Sequence, residues 1–139
     1  MVNWTHKGKD IPSNHIPKKE SFGFIYLLTY TNGQKYVGKK QMWSKRKVPL
    51  GKKELANRTD KRASKFKTVI KTSDWFTYNG SAKYDKHLKL KAKEIIHICK
   101  TKKALTYMEI REQFKRDVLT DATYVNENIN RMWYRNVME

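Results

Sequence analysis

The sequence is poor in cysteine, proline, glycine and acidic residues. It has one cysteine, three prolines, six glycines and 13 acidic residues in 139 positions. The single cysteine, Cys99, excludes an internal disulfide bond and zinc modules that use several cysteines. No apolar run approaches the roughly 18 residues of a membrane-spanning helix, and the polar segment 1–10 lacks the apolar centre of a signal peptide. These absences predict an intracellular protein without a membrane anchor.

Positive charge is what the sequence has in excess. Its 31 lysines and arginines give a net charge of +18, and the segment 39–71 alone contains 13 basic and 2 acidic residues. Lysine and arginine at this density are typical of nucleic-acid binding, because they displace the counterions condensed on a phosphate backbone. The aromatic content of 12% is too high for a wholly disordered basic tail. We therefore expect a folded domain with a polyanionic partner.

The predicted sheet begins with a β-hairpin. The apolar runs at 22–30 and 35–38 are separated by Asn32-Gly33, a dipeptide typical of a tight turn between two strands. A third, buried strand is expected at 94–99, where the chain reads EIIHIC.

Helices are expected on both sides of this third strand. A short extended piece at 75–78 leads into a turn, and a helix over about 82–92 follows. A last helix should run from a cap at Thr106 to about Leu119. Its core face is predicted to comprise Tyr107, Ile110, Phe114 and Val118. The predicted fold class is α/β (α+β): a small three-stranded, largely antiparallel sheet in the order hairpin, helix, strand, helix.

Three regions are predicted along the chain. Residues 1–20 contain two prolines and no periodicity, which is typical of an arm. Residues 21–130 form the domain, with a basic insertion at 39–72 that includes a short helix after Lys52. Residues 131–139 form a tail.

The hairpin places two tyrosines where they are expected to project toward one site. Tyr26 lies near the middle of the first strand and Tyr36 on the second, while Gly38 permits a close backbone approach. Arg46 follows eight positions later, and the last helix supplies carboxylates. Tyrosines, an arginine and one carboxylate are the groups that phosphodiester cleavage needs to orient water, stabilise phosphoryl charge and hold a divalent cation.

In these residues the chain resembles the GIY-YIG nuclease superfamily, and in particular its small phage-encoded members that are similar to homing endonucleases. The resemblance covers about 22–129. Phe24 stands where the first tripeptide of the family begins with glycine, and Gly23 lies one place earlier. The resemblance rests on these motifs: FIY at 24–26, YVG at 36–38, the following lysine pair, SDWFTYNGS at 73–81, LTYMEI at 105–110 and YVNENI at 124–129.

The resemblance implies a role for each of these residues in a DNA endonuclease. It implies that Tyr26 helps to activate the attacking water beside Tyr36, and that Arg46 steadies the scissile phosphate. It also implies that Glu109 or Glu112 binds one Mg²⁺ or Mn²⁺, with Glu109 slightly favoured. The residues expected to contact double-stranded DNA or its phosphates are Gly38, Lys39, Lys40, Lys45, Lys47, Ser81 and Asn126.

Several alternatives stay open at the level of sequence. Glu109 and Glu112 both lie off the predicted apolar stripe, so a solvent-exposed helix face is the ordinary expectation for each. A catalytically inactive binding module of the same fold and a basic RNA-binding protein are the rival functions. The oligomeric state, including a dimer on DNA, and the target sequence are not determined by these residues.

Overall fold

The computed structural model describes residues 2–59, 62, 64–80 and 88–137. The strands and helices follow in the order β1 (Trp4–His6), β2 (Lys9–Asp10), β3 (Gly23–Tyr30), β4 (Lys35–Gln41), β5 (Trp43–Pro49), α1 (Lys52–Ala56), β6 (Phe66–Thr72), β7 (Leu90–Cys99), α2 (Lys102–Lys115), β8 (Asn128–Ile129) and β9 (Trp133–Tyr134), and a 3₁₀ helix at Arg135–Val137. None of the described helices is long and apolar enough to cross a membrane.

The main sheet has five strands in the order β2-β1-β7-β3-β4. All neighbouring strands are antiparallel except β1 and β7, which are parallel. The α+β class is therefore confirmed, but the expectation of three strands was wrong. The two additional strands come from the segment before residue 20. Their pairing was not visible in the sequence because β1 is only three residues long and is held by a distant strand and a buried tryptophan, Trp4.

The hairpin of β3 and β4 is confirmed. Tyr26 faces Gly38 across the two strands, and Leu28 faces Tyr36. Four residues, 31–34, lie between the two strands, and Gly33 among them adopts a positive φ of 89°, as glycine does in tight hairpin loops. Because β3 lies between two other strands, nearly all of its residues are buried. This central position explains its uninterrupted apolar sequence.

The basic insertion forms a two-stranded ribbon of β5 and β6, separate from the main sheet. The predicted short helix after Lys52 is confirmed as α1. The extended piece expected at 75–78 was wrong, because residues 75–77 form a turn. Trp75 is buried in that turn, where its backbone carbonyl accepts a hydrogen bond from the indole of Trp4 at 2.8 Å.

The third predicted strand is confirmed as β7, but it begins earlier than expected. Residues 90–92, the end of the predicted helix over 82–92, are the first residues of this strand. Residues 82–87 lie outside the described part of the chain. A bulge in the pairing of β3 with β7 between Ile25 and Tyr26 changes which side chains face each side of the sheet. As a result, Ile95 packs among the aromatic residues while Cys99 packs beneath α2.

The last helix begins at Lys102 rather than after Thr106. Thr101 is its N-cap, and the Thr101 side chain accepts a hydrogen bond from the backbone nitrogen of Ala104 at 3.0 Å. The predicted core face was also wrong in part: Tyr107 is 66% exposed and Phe114 is 47% exposed. The helix instead buries Leu105, Glu112 and Gln113. The apolar stripe misled because the face that meets the sheet is partly polar.

The two faces of the sheet have different cores. One face packs against α2 through Ile25, Val37 and Leu105. The other is aromatic and packs Trp4, Phe24, Tyr26, Tyr30 and Trp75 together, with Trp4 edge-on to both Phe24 and Tyr26. The first strand is therefore part of the core that supports Tyr26.

Replacing Trp4 with alanine should lower the free energy of unfolding by about 3–5 kcal/mol, because it removes a fully buried indole and leaves a cavity. Urea denaturation measures this change. Alanine at Ile16, which is 75% exposed in the same N-terminal segment, is the control and should change stability by less than about 0.5 kcal/mol. An unchanged unfolding midpoint for Trp4→Ala would contradict the role of β1 in the core.

Candidate functional site

A polar cavity of about 580 Å³ opens at the outer edge of β4. Residues from three parts of the chain meet there: β4, α2 and the segment 125–131, which includes β8. The residues lining it are Tyr36, Lys39, Glu109, Gln113, Val125, Asn126, Glu127, Asn128, Asn130 and Arg131. Tyr36, Lys39, Glu109 and Asn126, all predicted site residues, therefore share one cavity.

Tyr26 reaches toward this edge because Gly38 has no side chain. A Cβ atom at Gly38 would lie 2.6 Å from Cζ of Tyr26 and 2.9 Å from Cε1 of Tyr36. Both distances are too short for real Cβ contacts, so only glycine leaves room for the two rings. The ring centroids of Tyr26 and Tyr36 lie 6.1 Å apart.

Tyr26 is held as a neutral phenol. It is almost completely buried, and burial raises the pKa of its hydroxyl well above the usual value. The neighbouring Tyr36 and Tyr78 and a hydrogen bond with the Tyr78 side chain add to this rise. At neutral pH the hydroxyl is therefore protonated and can donate or accept a hydrogen bond.

Glu109 is largely enclosed at the cavity wall. Its side chain is 15% exposed and lies 3.9 Å from the ammonium of Lys39. Burial raises the pKa of Glu109, while the charge of Lys39 and a hydrogen bond from the Lys39 backbone oppose that rise. The expectation of a solvent-exposed face was wrong for this residue.

Glu112 lies on the same helix but is already paired. One carboxylate oxygen is 3.0 Å from Nε2 of His97, and the other accepts a hydrogen bond from Nε of Arg116 at 3.0 Å. Burial raises its pKa, but hydrogen bonds from Arg116 and His97 outweigh burial and hold the pKa below the usual value. Glu112 is buried rather than solvent-exposed, and it is not among the described residues that line the cavity.

Asn126 closes the free edge of β4. Its amide oxygen accepts from the backbone nitrogen of Val37 at 3.1 Å, and its amide nitrogen donates to the carbonyl of Val37 at 2.8 Å. Gln113 also donates to that carbonyl at 3.1 Å. Arg135 fixes the segment before Asn126 by donating to the carbonyls of Val118 and Tyr124. Gln113 and Arg135 had no sequence signal, because both act through backbone atoms distant in sequence.

The predicted phosphate-binding residues fall into different places. Lys40 projects away from the cavity, pairs with Asp74 at 2.6 Å and lies over the Tyr78 ring at 4.1 Å. Lys45, Arg46 and Lys47 are exposed on the ribbon strand β5, and none is among the described residues that line the cavity. Ser81 lies outside the described residues.

Lys93 is a supporting residue that sequence reasoning missed. It is 1% exposed, and its ammonium donates to the carbonyls of Phe76 and Tyr78 and to the side chain of Asn79 at 3.0–3.2 Å. Burial lowers its pKa. Lys93 therefore ties the turn that carries Tyr78 to β7. The alternation of strand residues places Lys93 on the same face as the buried Ile95. Because the sequence is rich in lysine, that position alone does not distinguish Lys93 from the exposed lysines.

Substituting glutamine at the two glutamates should change stability in opposite directions. Glu109→Gln should raise the free energy of unfolding above about pH 5, because the folded state disfavours the buried charge. Glu112→Gln should lower it by about 1–3 kcal/mol at pH 7, since His97 and Arg116 lose a charged partner. That loss should shrink as the pH falls through the lowered pKa of Glu112. Urea titrations between pH 3 and pH 8 test both variants. A change of the same sign in both would contradict the opposite environments inferred for Glu109 and Glu112.

A protein-family model matches almost the whole chain. Residues 4–136 match the protein-family model described as "Putative endonuclease segE, GIY-YIG domain". Neither a search of curated proteins nor a search of solved structures gave a match. The matched span begins at the first residue of β1 and ends next to Arg135, so it includes the elements that support the cavity. The chain therefore belongs to the GIY-YIG endonuclease domain family.

Proposed function

We propose that this protein is a metal-dependent endonuclease of the homing type, encoded by a phage or another mobile element, that hydrolyses phosphodiester bonds in double-stranded DNA inside the host cell. The observation that carries the proposal is the convergence of Tyr36, Lys39, Glu109 and Asn126 on one polar cavity, with Tyr26 packed against Tyr36. Membership of an endonuclease domain family supports the same reaction class.

The two tyrosines position the attacking water in this proposal. Tyr26 is protonated before the reaction because burial raises its pKa, so we assign to its hydroxyl the orientation of the attacking water through hydrogen bonds. Tyr36 is half-buried and lines the cavity. As a lining residue, Tyr36 is placed to contact the phosphate or the water in this proposal.

The cavity fits a single divalent cation. Glu109 offers an oxygen ligand at a polar wall, and magnesium bound by one carboxylate keeps several water ligands. Within the described residues no group of three or more histidine, cysteine, aspartate or glutamate side chains lies close enough to hold a metal, so most ligands of the cation would be water or phosphate oxygens. We assign the metal to Glu109 because both oxygens of Glu112 are occupied. A bound Mg²⁺ or Mn²⁺ would neutralise charge on the phosphate.

The cation that stabilises the scissile phosphate is assigned to Arg131. The resemblance gives this role to Arg46, which lies on the exposed ribbon. Arg131 instead lines the cavity with Glu109. Arg131 and Asn130 both have a left-handed backbone φ of 53°. The backbone nitrogen of Arg131 donates to the side-chain oxygen of Asn128 at 3.0 Å. Such a conformation costs about 1–2 kcal/mol in a residue with a side chain, and strained residues are concentrated at functional sites.

Replacing Tyr26 with phenylalanine should lower the cleavage rate at saturating DNA by about 10²-fold or more, because the ring stays while the orienting hydroxyl is lost. Duplex binding without metal should stay within about twofold of wild type. Gel-based cleavage of a long duplex in Mg²⁺, with mapped ends, measures the rate. Tyr134→Phe, an exposed tyrosine outside the cavity, is the control. Wild-type protein that binds duplex DNA but never cuts it with any metal would identify an inactive binding module instead.

Arginine substitutions separate the two candidate cations. Arg131→Asn, which retains tolerance for the left-handed backbone, should lower the turnover rate at saturating DNA by about 10²-fold, as expected when a charge facing the transition state is removed. Arg46→Gln should leave the turnover rate within a few-fold of wild type. Steady-state cleavage at several DNA concentrations measures both, and the opposite pattern would return the role to Arg46.

A further inference from the structure

Two further concavities continue from the cavity toward the ribbon. The first, of about 300 Å³, shares Lys39 with the cavity and is lined by Lys40, Gln41, Lys102, Leu105 and Thr106. The second, of about 680 Å³, shares Gln41 and Lys102 with the first and extends to Lys45 and Ile70 on the ribbon. Because neighbouring concavities share lining residues, they adjoin one another, and we call the two further concavities together the basic track.

The basic track is strongly positive. Its two concavities are lined by six lysines and one acidic residue, Glu20. Lys39 and Lys40 pair with acidic side chains, whereas Lys45, Lys100 and Lys102 are exposed along the path. The first turn of α2 contains Lys102 and no acidic residue. Cations there are unfavourable for the helix dipole, so the charge is better explained by an external anion than by helix stability.

The ribbon continues the path on one of its faces. Lys45 pairs with Ile70, Lys47 with Thr68 and Pro49 with Phe66, and residues directly opposite each other share a face. Phe66 is 53% exposed and Ile70 is 59% exposed, so this face combines lysines with uncovered apolar groups. Arg46 lies on the other face of the ribbon, together with Lys67. The ammonium of Lys67 is 2.7 Å from a carboxylate oxygen of Glu54 in α1.

We infer that duplex DNA follows the basic track from the cavity to the Lys45 face of the ribbon. A two-stranded β-ribbon fits the major groove of B-form DNA, and the lysines along the track match the phosphates between that groove and the cavity. The DNA is thus held on one side of the scissile position. This inference rests on the proposed function for the cavity, but its binding surface is tested without catalysis.

The decisive variant is the triple substitution K45Q/K100Q/K102Q, measured against K9Q/K91Q/K115Q. Both remove three exposed lysines, but none of the control lysines lines the track. Binding to a 40-base-pair duplex of mixed sequence is measured without metal at several salt concentrations. The track variant should reduce the slope of log K against log salt by about 2–3, at about 0.9 per lost phosphate contact. The control should reduce it by less than about 1.

Site-directed cross-linking checks the path independently of affinity. The native Cys99 is buried, so a photoactivatable group can be attached at K45C or K100C, with K9C and K91C as controls. Cross-links to duplex DNA are expected from the first pair and not from the second. Equal slopes for both triple variants, equal cross-linking from both pairs, or tighter binding of a structured RNA at matched salt would overturn the inference. If the wild-type protein gave the expected slopes and cross-links but did not cleave DNA in Mg²⁺, the proposed function would be wrong and the binding surface would still stand.

Discussion

The close packing of Tyr26 against Gly38 across the central hairpin is the constraint on which the candidate site depends. A Cβ atom at Gly38 would overlap the tyrosine ring, so the glycine allows Tyr26 to fill space that a side chain on β4 would occupy. The same pairing fixes the register of the hairpin, since Tyr26 lies directly opposite Gly38. With the register fixed, Tyr36 lies beside Tyr26 and Val37 presents its backbone to Asn126.

Some polar residues around this hairpin stabilise the fold, and others face the cavity. Glu112 has a partner at each oxygen, whereas Glu109 faces the cavity and carries a raised pKa caused by burial. Lys93 and Arg135 are not among the described residues that line the cavity, but each binds backbone carbonyls of a segment that reaches the tyrosines or Asn126. The site is therefore supported by one buried and one half-buried cation that bind backbone carbonyls.

Local signals predicted the central part of the fold well. The Asn-Gly turn and the apolar runs gave both strands of the hairpin, and the short apolar run before Cys99 gave most of β7. The failures have physical causes. The helix face was misassigned because α2 meets the sheet with a glutamate and a glutamine, whose partners on other elements are His97 of β7 and the Val37 carbonyl of β4. The ribbon was read as an insertion of unspecified structure because its strands are basic and exposed, without the alternation of a half-buried strand.

The sequence by itself determined the tyrosine pair, the glycine two positions after the second tyrosine, the family resemblance and the clustering of positive charge. These features are local, since turn preference, strand alternation and charge density depend on neighbouring residues. The tertiary structure alone decided which glutamate faces the cavity, where Arg131 and Arg46 lie, and how the lysines of α2 join those of the ribbon. These depend on the sheet edge at β4, where segments more than 80 residues apart in sequence meet, and no local pattern records which segment will cover that edge.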